Sequence, residues 1–453
     1  MCTAPWCFVT PPSDERPRPS IHFTAQNGWI NDPYGVMWAG DRYHMFFQAI
    51  PGRVTWAPGC HWGHAESTDL MHWIERPFAL SPQEFEVGCW SGSAVIDTDG
   101  VPTLLYTRIV GDDYQHGKVA VAQGDPTWGT WITTADDVVI EGLPASVQAR
   151  AFRDPFVFHH DGHWVAVLGA GLADGSGAAL QYVSRDLRHW RYDGVLCSRL
   201  STRDDGVWTG SLWECPQLVQ VDGSWLLLVS VWDDDTLHYV AAAVGDYDGH
   251  VFTPGRWQRL THGNSAYATS TFQDRDGRPC IVSWLREEPT NNPDLSVRAG
   301  AHSLVAVLGV TKDGTVSLAP HPNFDALPRM THGLVEGVTK GSCVVGAGVV
   351  DMSVDTTTAA TARVVEGDHC RLELAVDPDD ACVRVDRPGF GNSLLSVVGV
   401  VGVVGRLRVV LDADIVEIFA PGVYGAYRID PARDPSATTI SWSGSASVRV
   451  LAT

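Results

Sequence analysis

The sequence predicts an all-β chain, a five-bladed β-propeller followed by a C-terminal β-sandwich. Three observations carry that expectation. A short unit recurs, in which a Gly-containing hairpin turn precedes an apolar, strand-like run. Its period is nearly constant, since the turn glycines Gly40, Gly100, Gly162, Gly223 and Gly277 lie 60, 62, 61 and 54 residues apart. Hardly any stretch shows the 3.6-residue apolar period of a substantial helix. Each unit is long enough for a four-stranded sheet, and closing the sheets into a ring manages their exposed edges.

The first turn, Ala39-Gly40-Asp41, precedes Tyr43-His44-Met45-Phe46-Phe47-Gln48, and Asp99-Gly100 precedes Thr103 to Tyr106. Asp161-Gly162, Asp222-Gly223 and Asp276-Gly277 precede Trp164 to Val167, Trp225 to Leu228 and Pro279 to Trp284. A second repeat supports the first: Ser67-Thr68-Asp69-Leu70-Met71-His72-Trp73 is echoed by Ser184-Arg185-Asp186-Leu187-Arg188-His189-Trp190, as suits an outer hairpin of a blade. The units are expected to end near Asp313-Gly314, whose following strand would close the ring. Ala319 to Pro328 reads as a Pro-rich linker. The boundaries are therefore 1–325 for the propeller, 326–332 for the linker and 333–453 for the sandwich. Sandwich strands are expected at Gly346 to Ser353, Cys370 to Val376, Arg406 to Phe419 and Ser445 to Leu451.

Bulk properties narrow the function. A net charge of −21 over 453 residues argues against nucleic acid and anionic membrane as partners, and fits a small neutral ligand. Eighteen Trp suit sugar stacking as well as they suit β-sheet cores. Met1 to Trp6 has neither a basic nor an apolar leader segment, and no run of about 20 apolar residues follows. Ten Cys show no disulfide framework or paired zinc spacing, so the expected location is cytoplasmic, with reduced thiols. The sequence does not speak to oligomeric state.

Eight to ten residues before each turn glycine, where each blade's first strand begins, stand Asp32, Ser91, Asp154, Glu214 and Tyr267. First strands line the channel of a propeller, so these positions should converge on one mouth. Three of them are acids, and gathering three acids costs stability through repulsion and desolvation. Such a cluster points to chemistry.

The contexts Trp29-Ile30-Asn31-Asp32-Pro33, Arg153-Asp154-Pro155 and Glu214-Cys215-Pro216 resemble the three signature motifs of glycoside hydrolase family 32, the invertases and fructan hydrolases. Tyr43 to Gln48, Trp62-Gly63-His64-Ala65, Trp90-Ser91-Gly92-Ser93 and Tyr267-Ala268 are similar to further family blocks, as is Asp412 to Phe419 in the sandwich. The resemblance covers nearly the whole chain from about residue 20. It implies a retaining hydrolase of terminal β-fructofuranosides, with Asp32 as nucleophile, Glu214 as general acid/base and Asp154 as stabiliser. Asn31, Gln48, Trp56, Trp90, Ser91, Arg153, Tyr267 and Trp284 would bind or wall the fructosyl unit, and Arg153 would offset the charge of Asp154, keeping it ionised. Tyr34, Gln217 and Ser265-Ala266 depart from the family pattern, and His302 to Ala306 only approximates its later Pro-Arg-Glu strand.

No cofactor is implied, because no phosphate-binding Gly-rich loop is present. No metal is expected either: His159-His160-Asp161-Gly162-His163 reads as an exposed hairpin, and Asp233-Asp234-Asp235 lacks calcium-loop spacing. Cys215 reads as a small buried thiol. Two rival readings are a non-catalytic sugar-binding propeller and an arabinan- or xylan-cleaving relative. Within the family, sucrose hydrolysis, fructan exo-hydrolysis and fructosyl transfer all stay open; the expected lack of an export signal favours sucrose and short fructo-oligosaccharides.

Overall fold

The computed structural model describes residues 16–288, 296–346, 348–380, 382–396 and 405–451; the leader reading of Met1 to Trp6, with Cys2 and Cys7, lies outside them. The ring of five antiparallel sheets is present. Blade one is Gly28–Ala39, Arg42–Ile50, His61–Ser67 and Ile74–Leu80. Blade two is Gly88–Ile96, Pro102–Ile109 and Lys118–Gly124, its outer edge shared by the short strands Trp131–Ile132 and Val138–Ile140. Blade three is Ala149–His160, His163–Leu172, Gly177–Ser184 and Trp190–Arg199. Blade four is Leu212–Val221, Ser224–Asp233, Thr236–Tyr247 and Phe252–Arg259. Blade five is Ala266–Gln273, Pro279–Leu285, Ala306–Val310 and Val316–Pro320. The only helices among the described residues are the turn Pro322–Asp325 and a 3-10 turn at Pro435–Ala437.

Local chemistry accounts for the meander. Each of the five turn glycines joins a blade's first and second strands with a positive φ, 65°, 82°, 76°, 83° and 80° in order, which a side chain would resist. The two Ser-x-Asp-Leu segments form matching outer hairpins. Asp69 Oδ1 accepts from the Met71 and His72 amides, and Asp186 Oδ1 from those of Arg188 and His189. Leu70 and Leu187 take the left-handed conformation, at φ 65° and 62°.

Ring closure differs from expectation. Among the described residues, the strand after Asp313-Gly314, Val316–Pro320, pairs only with Ala306–Val310, as the outer strand of blade five. The ring is closed instead by Arg298–Ala299, which pairs in parallel with Gly28 and Trp29 of blade one. This two-residue strand is too short to read from a pattern.

The second domain also begins earlier than expected, because Arg329–Val344 pairs along Thr438–Leu451 from its first residue. Thr438–Leu451 serves both layers of the sandwich. Its C-terminal half pairs Val349–Asp355, whereas its N-terminal half pairs Ala360–Glu366. Gly444 marks the changeover, at φ 93°, where a Cβ would come within 2.5 Å of Ala360 Cβ. Between the layers lies an apolar core that includes Met352, Leu372, Val385, Ile418 and Trp442. A separate core runs from blades one, four and five into the second domain through Val410, Ile415, Phe419 and Tyr424, so the two domains share buried surface.

Candidate active site

Every blade's first strand carries a β-bulge at the same place. The register slips between Ile30 and Pro33, Trp90 and Gly92, Arg153 and Phe156, Glu214 and Gln217, and Tyr267 and Ser270. A bulge inserts a residue and re-aims side chains, here at one end of the ring. Three non-glycine residues at these bulges have positive φ: Asp154 at 63°, Cys215 at 45° and Ala268 at 45°. Such conformations cost about 1–3 kcal/mol each and persist where the surroundings impose them.

The bulges bring all five symmetry-related side chains together in two hydrogen-bonded groups, which adjoin through the neighbouring pairs Arg153-Asp154 and Glu214-Cys215. Ser91 Oγ donates to Asp32 Oδ2 at 2.8 Å, and Asn31 Nδ2 donates to Asp32 Oδ1 at 3.0 Å. Gln48 closes this ring, accepting from Asn31 Nδ2 at 3.1 Å and donating to Ser91 Oγ at 2.5 Å. Cys215 links the first two acids: its amide donates to Asp154 Oδ2 at 3.1 Å, and its Sγ lies 3.5 Å from Asp32 Oδ2. Burial and the flanking carboxylates push the Cys215 thiol well above its ordinary range, in keeping with an inert buried thiol. Glu214 is held from both sides, with Arg153 Nη2 donating to Oε1 at 2.9 Å and Tyr267 OH donating to Oε2 at 2.7 Å.

Electrostatics correct one expectation. Arg153 does not leave Asp154 an ordinary carboxylate; its guanidinium reaches across to Glu214, and its Nη1 donates to Gln115. Burial, with Glu214 and Asp32 nearby, outweighs the pull of Arg153 and raises Asp154 to about 7. Asp32 is raised as well, by burial and then by Glu214, against the opposing bonds from Ser91, Asn31 and Cys215.

Aromatic residues wall the mouth. Trp56 is 46% exposed and meets Trp90 edge-on at 5.7 Å. Trp90 is buried, with its indole N–H on Pro58 O, and Tyr114 stacks on it at 6.3 Å and 19°. Trp284 is buried beneath, edge-on to Trp29 at 5.6 Å, and packs with Cys215 and Tyr267. The sequence reading placed Trp29 in the first motif without a role and missed Tyr114 and Gln115. The repeat held the clue for the last two, because Tyr114 and Gln115 occupy the same loop of blade two, after the second strand, that Trp56 occupies in blade one.

The departures lie behind the site. Tyr34 packs between blades one and two on Trp62, at 4.3 Å, and its buried hydroxyl finds no hydrogen-bond partner among the described residues. Gln217 Oε1 accepts from the amide and hydroxyl of Thr271, tying blade four to blade five. Ser265 Oγ donates to Glu288, which also accepts from Arg387 of the second domain. His302 Nε2 donates to Asn31 O at 2.8 Å, supporting the strand beside Asp32.

Fold and site together define a five-bladed propeller with three carboxylic acids joined at one mouth of its channel. The model of the glycosyl hydrolases family 32 N-terminal domain matches residues 22–322, and the chain belongs to that family. It is 29% identical over 364 residues to a fructan 6-exohydrolase of Beta vulgaris, covering 73% of this chain and 59% of the relative. It is 33% identical over 283 residues to a sucrose-6-phosphate hydrolase of Zymomonas mobilis, covering 59% of this chain and 54% of the relative. The chain thus spans little more than half the length of these curated relatives. Its fold superimposes on a β-fructofuranosidase of Bombyx mori with a TM-score of 0.82 and 25% identity, covering 97% of this chain and 94% of that one.

Proposed function

We propose that this chain cleaves terminal β-D-fructofuranosides with retention, through a fructosyl-enzyme intermediate, and that sucrose and short fructo-oligosaccharides are its substrates. The observation that carries this reading is the convergence of Asp32, Asp154 and Glu214 from three blades, the first two bridged by Cys215 and both acted on by the charge of Glu214. Asp32, steadied by Asn31 and Ser91, is the nucleophile that attacks the fructosyl C2. Glu214 is the acid/base. Arg153 sits on Oε1, which leaves Oε2, the oxygen facing the Tyr267 hydroxyl, to carry the proton to the leaving oxygen. In the second step the same oxygen takes a proton from water, which releases fructose and restores Asp32. Asp154 accepts hydrogen bonds from fructose hydroxyls, and Trp56, Trp90 and Tyr114 face the rest of the substrate.

The two key variants test the assignment. Glu214→Ala should lower kcat on sucrose by about 10²–10⁴-fold. Asp32→Asn should lower it at least as far, with the fold of both variants intact by circular dichroism. Near-normal turnover of sucrose, kestose, inulin and levan by both variants would sink the assignment. Separated products of the unsubstituted protein then sort the reactions. Fructose released in step with its co-product (glucose from sucrose, sucrose from kestose, the shortened chain from inulin or levan) means hydrolysis, longer oligosaccharides mean transfer, and inertness on all four substrates returns the sugar-binding reading.

A further inference from the structure

A cavity of about 580 Å³ opens between blades one and two, at the end of the ring away from the three acids. That placement follows from topology: its wall includes Asp41 and Arg42, in the turn at the far end of the strand that carries Asp32. Its floor is built by His44 on the second strand of blade one and by His64 and Glu66 on the third. His44 and Glu66 are register partners, and His64, two residues before Glu66, points to the same face. All three are buried, at 2%, 3% and 8% exposure.

The three side chains converge. His44 Nδ1 lies 3.0 Å from His64 Nε2 and 3.8 Å from Glu66 Oε1, and one ligand atom from each of the three side chains lies within 4.8 Å of the other two. A tetrahedral ion with bonds of about 2.0–2.1 Å separates its ligand atoms by roughly 3.3 Å, so a cation would replace the proton the imidazoles now share, with small movements. Packing already fixes the rings. Trp128 stacks on His44 at 4.3 Å and 16°, and Phe46 on His64 at 4.7 Å and 14°. Glu66 Oε2 accepts from Arg76 at 2.6 Å and Arg42 at 3.1 Å, which turns Oε1 toward the histidines. The cavity leaves room for a fourth ligand.

We propose that His44, His64 and Glu66 form a binding site for a divalent transition-metal ion of the zinc and cobalt class, pinning two strands of blade one. Sequence spacing hid it, because the ligands come from two strands and only two of them share one. The site is independent of the fructoside-cleaving reading.

Titration of the purified chain with Co²⁺ tests it. The expected result is one Co²⁺ bound per chain, with the visible bands of four-coordinate cobalt and no thiolate charge-transfer band. Zn²⁺ should displace the cobalt and raise Tm, since an ion that binds only the folded state stabilises it. Glu66→Gln should weaken binding by more than about tenfold while keeping an acceptor for the arginines, and His64→Asn should do the same. Circular dichroism would establish that each variant is folded. Absence of the bands and of the Tm shift, a thiolate signature, or equal affinity in unsubstituted protein and folded Glu66→Gln would each overturn the proposal.

Discussion

Asp154 is 6% exposed, beside two other acids, and its ionised form is disfavoured. The sign of its effect on stability follows. Its folded pKa, about 7, lies above the ordinary 3.8, so the folded state holds a proton that the unfolded state releases. Stability is therefore lost as pH rises through that window, and the full penalty applies above about 7. Asp154→Asn should raise Tm by a few degrees at pH 8 while abolishing activity, and the gain should shrink at pH 5; thermal melts at both pH values check this. Tyr34 offers a second case. Among the described residues its buried hydroxyl finds no partner, and a buried group left so costs about 1–3 kcal/mol. Tyr34→Phe should therefore stabilise the chain by about 1 kcal/mol in urea unfolding and leave kcat on sucrose nearly unchanged. The sequence marks Tyr34 as a departure from the family pattern, with packing under the nucleophile or the reach of the cleft as its two readings; the structure shows packing, and the hydroxyl's position between two blades depends on contacts that no local pattern encodes.

At the scale of elements, the five first strands were legible because turn glycines recur at a fixed distance from the site positions. Their bulges were not, since a bulge shows only against a partner strand. The closing strand was hidden for a related reason: Arg298–Ala299 has two residues and no apolar alternation. It nevertheless bears on the site, because it pairs with Gly28 and Trp29 just before Asn31 and Asp32. Gly300, which follows it, has φ 84°, and a Cβ there would come within 2.0 Å of Ile30 O. Gly300→Ala should thus push the closing strand off blade one. The expected outcome is a lower Tm together with reduced kcat/KM on sucrose. An equal Tm and unchanged kinetics would show that blade one holds Asp32 without this closure.

At the scale of the whole molecule, the Asp412 to Phe419 stretch was readable as a signature, but its task was not, because its partners in the N-terminal segment lie almost 400 residues away. Asp412 accepts from the amides of Ser20, Ile21 and His22, and Glu417 accepts from the amide of Leu304 and the hydroxyl of Tyr424. His22 sits fully buried between the two carboxylates, with Nδ1 2.8 Å from Asp412 and Nε2 2.8 Å from Glu417. Burial alone would lower this imidazole, but the bonds to Asp412 and Glu417 prevail and raise it from 6.5 to about 9. The charged ring therefore joins the N-terminal segment to the second domain, across a core the two domains share. A group raised on folding stabilises fully below its unfolded pKa and loses that contribution as pH rises through the folded one. The His22 contribution, at most on the order of 3 kcal/mol, should be complete below pH 6.5 and gone above about 9. His22→Gln should accordingly melt several degrees below the unsubstituted chain at pH 6, and the two curves should converge above pH 9. A gap that stays constant across this range would mean that shape, and not charge, holds the N-terminal segment on the second domain.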